Sequence, residues 1–169
     1  AAPTRAVRPE RSPSPIGDIV ILSPEHQQIA DMTRRFWIGV VSRKHVLIGV
    51  AGGFAMMNHG KLAPLKRLGP GDGLAYYSPK TAWPEGEVLK AFTAIGTVGD
   101  KPPYAAEMPS GQTGFRLGID WLNARETPIS DQTDRLEFTR GNWGMLARRG
   151  VFEISDADFQ TIRTVMLQE

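Results

Sequence analysis

Apolar residues fall along this chain in two rhythms, one of continuous or alternating runs and one of three- and four-residue steps, and together they predict a mainly β domain with short helices. The run Phe36-Trp37-Ile38-Gly39-Val40-Val41 is aromatic and β-branched, as a buried strand requires. Ser42 then caps a helix over about 43–50, with Val46, Leu47 and Val50 on one face, and Gly52-Gly53 stops it. A second short helix fits around Pro64 and ends at Gly69. Pro70-Gly71-Asp72-Gly73 reads as a turn delivering the chain into a strand, Leu74-Ala75-Tyr76-Tyr77-Ser78, which Pro79 breaks and in which only one of the two tyrosines faces inward. A third strand spans 88–98, with Leu89 and Phe92 in the core and Gly96 as a bulge or bend. The clearest strand is the alternation of Phe115, Leu117, Ile119 and Trp121 with Arg116, Gly118 and Asp120. Leu136 and Phe138 pack after it, and a last short strand covers 151–154. Ser155 with Asp158 then opens a helix whose Phe159, Ile162, Val165 and Met166 share a face. The expected class is α+β, mainly β, with about five or six strands curling into a closed or nearly closed barrel and three or four short helices.

Composition changes this picture at the N-terminus. Residues 1–31 hold five prolines, mixed charges and one brief apolar run at 19–22, so they read as a disordered or tag-like leader, with Met32 as a candidate internal start and the domain proper at 34–168. The length suits one domain, and 41% hydrophobic residues are enough for a core. With no cysteine, a disulfide framework, a thiolate metal site and a catalytic thiol are all excluded. No apolar run approaches the roughly 20 residues of a membrane span, and a basic-then-apolar signal is missing, so a soluble cytoplasmic protein with no membrane partner is expected. Net charge is only +2, yet between 32 and 80 eight basic residues face the single acid Asp72. From 81 onward nine basic residues meet thirteen acids, an asymmetry that marks either a polyanion-binding face or a solvated surface.

Several spaced motifs carry a family resemblance. They are Phe36-Trp37-Ile38-Gly39-Val40-Val41-Ser42, then His59-Gly60-Lys61-Leu62-Ala63-Pro64-Leu65, then Pro70-Gly71-Asp72 with Tyr76-Tyr77-Ser78-Pro79-Lys80, and near the end Asn142-Trp143-Gly144, Arg148-Arg149-Gly150 and Asp158-Phe159. In this order they resemble the EVE domain, in its branch of small bacterial proteins. The resemblance implies a PUA-like barrel, related to YTH and SRA-type domains, with a concave pocket for a single modified or flipped base. It also implies that Phe54 and Asn58 stand at positions of the pocket.

Such a pocket needs aromatic faces for stacking and polar groups for the base edge. Trp37, Phe54, Tyr77 and Trp83 are the aromatic candidates, with core packing as the alternative for Trp37, loop packing for Trp83, and a Gly-flanked loop expected around Phe54. Ser78 and Lys80 stand at a strand exit, where a hydroxyl reaches an edge and an ammonium a phosphate; strand capping is the other reading of Ser78. His59 and Lys61 flank Gly60 at the expected rim. Arg148 and Arg149 suit either a phosphate clamp or pairing with Asp120 or Glu153. Ser42, Asn58 and Trp143, on the matched stretches, complete the expected ligand-contact set. His45 and His59 lack a metal-ligand spacing, and neither a Gly-x-Ser-x-Gly elbow nor a phosphate-cradling glycine loop is present. The reading is therefore a non-catalytic module without cofactor, monomeric, binding DNA or RNA that carries a modified base. The alternatives are a protein-interaction or regulatory domain, or an RNA-binding PUA-like module indifferent to modification.

Overall fold

The computed structural model describes residue 21 and residues 23–168. Most of the expected leader lies outside the described residues. Its final part is helical: α1, Pro24–Thr33, starts where Ser23 Oγ accepts from the His26 N–H (3.4 Å) and Pro24 occupies the first turn, a local arrangement that proline-rich composition conceals. The remaining elements in chain order are β1 (Phe36–Val40), α2 (Arg43–Gly52), β2 (Phe54–Ala55), a 3-10 turn (Asn58–Gly60), α3 (Leu62–Lys66), β3 (Gly73–Lys80), β4 (Val88–Val98), β5 (Tyr104–Glu107), β6 (Thr113–Trp121), β7 (Thr127–Pro128), α4 (Trp143–Ala147), β8 (Val151–Ile154) and α5 (Asp156–Leu167). The strands form one mixed sheet in the order β2-β6-β4-β3-β1-β8, with β5 on β6 and β7 on β4. β1 and β3 run parallel, from Phe36 opposite Gly73 to Val40 opposite Tyr77; the other pairs are antiparallel.

Successive side chains leave opposite faces of a strand, so a continuous apolar run demands cover on both sides. Trp37, Leu74, Tyr76, Ala94, Leu117 and Ile119 point into the concave side, where Val46 of α2 and Leu65 of α3 close one core. Phe36, Ile38, Ala75, Tyr77, Phe92 and Ile95 point to the convex side, covered by Phe159, Ile162 and Met166 of α5 with Ile129 and Leu136. Tyr76 and Tyr77 are consequently both buried, at 2% and 4% exposure, each in its own core. The expectation that only one faces inward fails because this strand has two insides.

Register between β3 and β4 shifts twice, once between Tyr76 and Tyr77 and again between Ser78 and Lys80. Tyr76 lies opposite Ala94 and Tyr77 opposite Phe92, which leaves Thr93 as the bulge and places Phe92 and Ile95 on the same side. Gly96, expected to be the bulge, instead stays in register opposite Leu74, and any side chain there would press on the Asp120 carbonyl at 2.5 Å. β3 also runs on through Pro79 to Lys80 instead of ending before the proline. The sheet curls without a strand pair joining β2 to β8; across that gap the Asn58 Nδ2–H donates to the Arg149 carbonyl (3.3 Å). Among the described residues no helix is long and apolar enough to cross a membrane.

The polar anchor of the parallel pair is Asp72, 5% exposed. Its carboxylate accepts from the Trp37 indole N–H (2.9 Å), the Gly69 N–H (2.9 Å) and the Arg35 N–H (3.1 Å), tying the turn before β3 to the start of β1. Asp72→Asn keeps the shape but sets an amide NH2 against these donors. It is expected to cost about 2 to 3 kcal/mol, read as a lower urea midpoint at unchanged m-value.

Candidate functional site

Half of the aromatic and hydroxyl candidates are structural. Trp37 is 1% exposed, its indole N–H is held by Asp72, and the Arg67 guanidinium lies over its ring at 5.1 Å, so neither a face nor a donor is open to a ligand. Tyr77 is enclosed edge-on by Phe92 (6.1 Å) and Trp143 (5.2 Å), and burial raises its phenol pKa. Ser78 is fully buried, and its hydroxyl meets that of Thr93 at 2.8 Å, so it pins the bulge instead of a base edge. These side chains alternate along strands covered on both faces, which is why packing claims them.

Phe54 sits differently from its expected loop: it is paired in β2 opposite Gly118. Its neighbour Ala55 enters the concave core, so Phe54 itself faces the convex side, at the end of the sheet beyond the reach of α5. It is buried, with its ring against Gly52 at the end of α2, and the Arg116 guanidinium carbon stands 4.1 Å from the ring centroid. Arg116 has no carboxylate within ion-pair distance among the described residues, and its buried Nε–H has no hydrogen-bond acceptor. Tyr104, 45% exposed, is its cross-strand partner on β5 and faces the same way. Next along β6, the position of Gly118 has nothing within 4 Å of where a side chain would start. Two positions before Arg116, Gly114 is approached by Met56 and Met108. The result is a surface on which a guanidinium covers a buried ring, with the exposed Tyr104 and two pliant methionines beside it.

The segment leaving β2 carries the expected rim to this face. The Tyr76 hydroxyl accepts from the Met56 N–H (3.1 Å) and donates to the Met56 carbonyl (3.0 Å), fixing where the turn begins. Asn58 and His59 then adopt left-handed φ values of 47° and 58°. Gly150 also has positive φ, 79°, and a side chain there would strike Asn58 Oδ1, so the turn and the β8 entry need each other's small residues. His59, Lys61, Arg148 and Arg149 are all exposed at this junction and form no ion pair among the described residues. The alternative of pairing with Asp120 or Glu153 is not adopted: Glu153 takes Arg35 at 3.0 Å.

Ser42, Lys80 and Trp83 occupy another corner. Ser42 Oγ meets His45 Nδ1 (3.0 Å), and the Lys44 N–H donates to the Thr81 carbonyl (2.9 Å), joining α2 to the loop after β3. There Trp83 is 62% exposed beneath the Lys80 ammonium at 5.5 Å. Trp143 packs against Phe138 and Tyr77 as part of the convex core. The structure therefore sets the turn of Asn58, His59 and Lys61 against the Arg148–Arg149 entry to β8, with Phe54 on the strand that leads into that turn, and sets Ser42, Lys80 and Trp83 apart. Arg116, Tyr104, Met56 and Met108 were missed; the one signal for Arg116 is a charge at an outward position opposite Leu117 in the best alternating strand.

The domain is a curled mixed sheet with α2 and α3 over its concave side and α5 over its convex side. A family model for the EVE domain matches residues 35–165, and the chain belongs to that family. It is similar to a UPF0310 protein of Mesorhizobium japonicum, 51% identical over 135 residues that cover 78% of this chain and 91% of the relative. It is likewise similar to UPF0310 protein YdcG of Bacillus subtilis, 46% identical over 137 residues covering 80% and 94%. Among solved structures, a hypothetical protein from Leishmania major shares the fold with a TM-score of 0.51 at 10% identity, covering 79% of this chain and 94% of that one.

Tyr76 links the site to pH. Burial raises its phenol pKa above the ordinary value of 10.0, outweighing the Met56 backbone hydrogen bond that lowers it. A raised folded pKa means that the protonated phenol contributes stability below about pH 10, and that this contribution drains away as pH climbs from there towards the folded value. Tyr76→Phe should cost about 1 to 2 kcal/mol at pH 7 and show a shallower fall in stability above pH 10 than the parent, measured by urea titrations across pH 7–11.

Proposed function

We propose that this chain is a non-catalytic nucleic-acid-binding module that takes one base, enlarged by a methyl or hydroxymethyl group, on the Phe54 face. The observation that carries the reading is the Arg116 guanidinium stacked on Phe54 with no acid partner and an unsatisfied Nε–H. A guanidinium is planar and weakly hydrated, so it covers an aromatic ring as a base would and can slide aside for one. Once displaced towards the open position at Gly118, its N–H groups meet acceptors on the base edge or its phosphate, supplying what the free protein leaves unmet. Base stacking on an aromatic contributes about 1 to 3 kcal/mol. Met56 and Met108 offer soft apolar contact for an added methyl, worth about 0.8 kcal/mol, or several-fold in affinity. Lys61, Arg148 and Arg149 hold the backbone on either side. Division of labour between base face and basic rim supports both recognition and a salt-sensitive background.

The test is fluorescence anisotropy with paired modified and unmodified single-stranded DNA and RNA oligonucleotides, over cytosine and adenine modifications. One modified member should bind several-fold better than its twin. Arg116→Ala and Phe54→Leu, which preserves apolar volume, should abolish that preference while leaving weak binding. Lys61→Ala should reduce the slope of log affinity against log salt by about one contact. Equal binding of every pair removes the base-reader reading, and salt-independent binding removes the basic rim; failure of both leaves a protein-interaction domain.

A further inference from the structure

Strand β6 presents an ordered row on the side where Phe54 lies. Leu117 and Ile119 enter the concave core, so the residues that alternate with them, Arg116, Gly118 and Asp120, belong to the opposite face. Cross-strand partners fix what flanks each of the three: Tyr104 lies opposite Arg116, Phe54 opposite Gly118, and Thr97 opposite Asp120. At Gly118 nothing stands within 4 Å of where a side chain would begin, so the middle of the row is an open floor beside an aromatic residue.

The two ends of that row carry opposite charge. Their Cα atoms are about 13 Å apart on a strand that rises about 3.3 Å per residue. Arg116 and Asp120 do not pair with each other. The guanidinium lies on Phe54 with its Nε–H unmet, and the exposed Asp120 side chain has neither an ion-pair nor a hydrogen-bond partner among the described residues. Thr97 brings a hydroxyl beside Asp120 and no charge. A carboxylate only accepts and a guanidinium only donates, so a planar ligand over Gly118 meets acceptors at one end and donors at the other. The carboxylate also repels phosphate, which gives its end of the row to a base edge and not to the backbone. An exocyclic amine donates to a carboxylate, whereas the carbonyl that replaces it in an oxo base sets oxygen against oxygen.

We propose that Asp120 is the specificity-determining residue of this face, and that the base it admits carries an exocyclic amino group, as cytosine and adenine do, in preference to the oxo counterpart. The inference rests on the base-reading role of the Phe54 face. The amine donates to the Asp120 carboxylate, and a ring nitrogen or carbonyl of the same base accepts from Arg116.

Fluorescence anisotropy on the whole chain tests this with end-labelled single strands in which one nucleotide bears a base and all the others are abasic. Three matched pairs differ by the exchange of amine for carbonyl: 5-methylcytosine against thymine, 5-hydroxymethylcytosine against 5-hydroxymethyluracil, and adenine against hypoxanthine. In at least one pair the amino member should bind about fivefold or more tightly than its twin, the low end of discrimination by a good base-edge contact. Asp120→Asn, at an exposed side chain with no partner to lose, removes a negative charge and strengthens binding of every strand, so the ratio within a pair is the readout. The amide keeps an acceptor and gains a donor, and the ratio should fall close to one or reverse. The proposal is overturned if amino and oxo twins bind equally in all three pairs while outbinding the wholly abasic strand, or if Asp120→Asn keeps the parent's ratio. Failure of every base to outbind the abasic strand is a different result, which removes the base-reading role itself and this proposal with it.

Discussion

Burial of the central strands on both faces is the constraint from which the rest of this structure follows. β1, β3 and β4 offer apolar side chains in both directions, so neither face tolerates water. The concave face is covered by the sheet's own curl together with α2 and α3, the convex face by α5 and the chain around Ile129 and Leu136. The Thr93 bulge lies within the buried stretch of β4 from Ala91 to Val98, and its hydroxyl finds Ser78 so that the interruption leaves no unmet polar group at its centre. Buried carboxylates work in the same sense. Asp72 gathers donors at the entry to β1 and β3, and Asp158 accepts from the Glu137 and Phe138 N–H groups at 2.8 and 3.0 Å, strapping the long loop to α5.

The same constraint decides where chemistry is available. α5 packs on β1, β3 and β4, while α2 and α3 reach β2 and β6 from the other side, so outward side chains of β5 and β6 meet solvent and one another. Phe54 packs against Gly52 of α2 on one side and is covered on another by the Arg116 guanidinium through a cation–π contact. A cover of this sort exchanges at little cost, whereas opening Trp37 or Tyr77 means breaking the cores. The neighbouring rim is held from within by Tyr76, whose hydroxyl fixes Met56, and from the side by Asn58 on Arg149. Core and site are thus joined through a few polar contacts, so site geometry is inherited from the fold and not from the exposed residues themselves.

Charge follows the same division. Glu153 pairs with Arg35 and Glu126 with Arg43. Half-buried Arg116 and the exposed Lys61, Arg148 and Arg149 are left without ion pairs among the described residues, and exposed free cations are what a phosphate backbone would meet.

Sequence by itself determined the elements. The buried run at Phe36, the alternation from Phe115 to Trp121, the Ser155 cap, whose Oγ accepts from the Asp158 N–H, and the glycine stop after α2 all express local physics: side-chain period, capping and backbone freedom. Family motifs added the curled PUA-like sheet. What no local rule contains is which strand gains a second cover. That depends on residues far apart in the chain, such as Phe159 against Phe36 at 4.8 Å, and it moved Trp37, Tyr77 and Ser78 from candidate site into core. It also placed Arg116 on Phe54 from a neighbouring strand and brought Asn58 to Arg149, contacts whose partners lie far apart in the chain. Period reveals that a side chain points outward; only tertiary packing decides whether another element lies there to meet it.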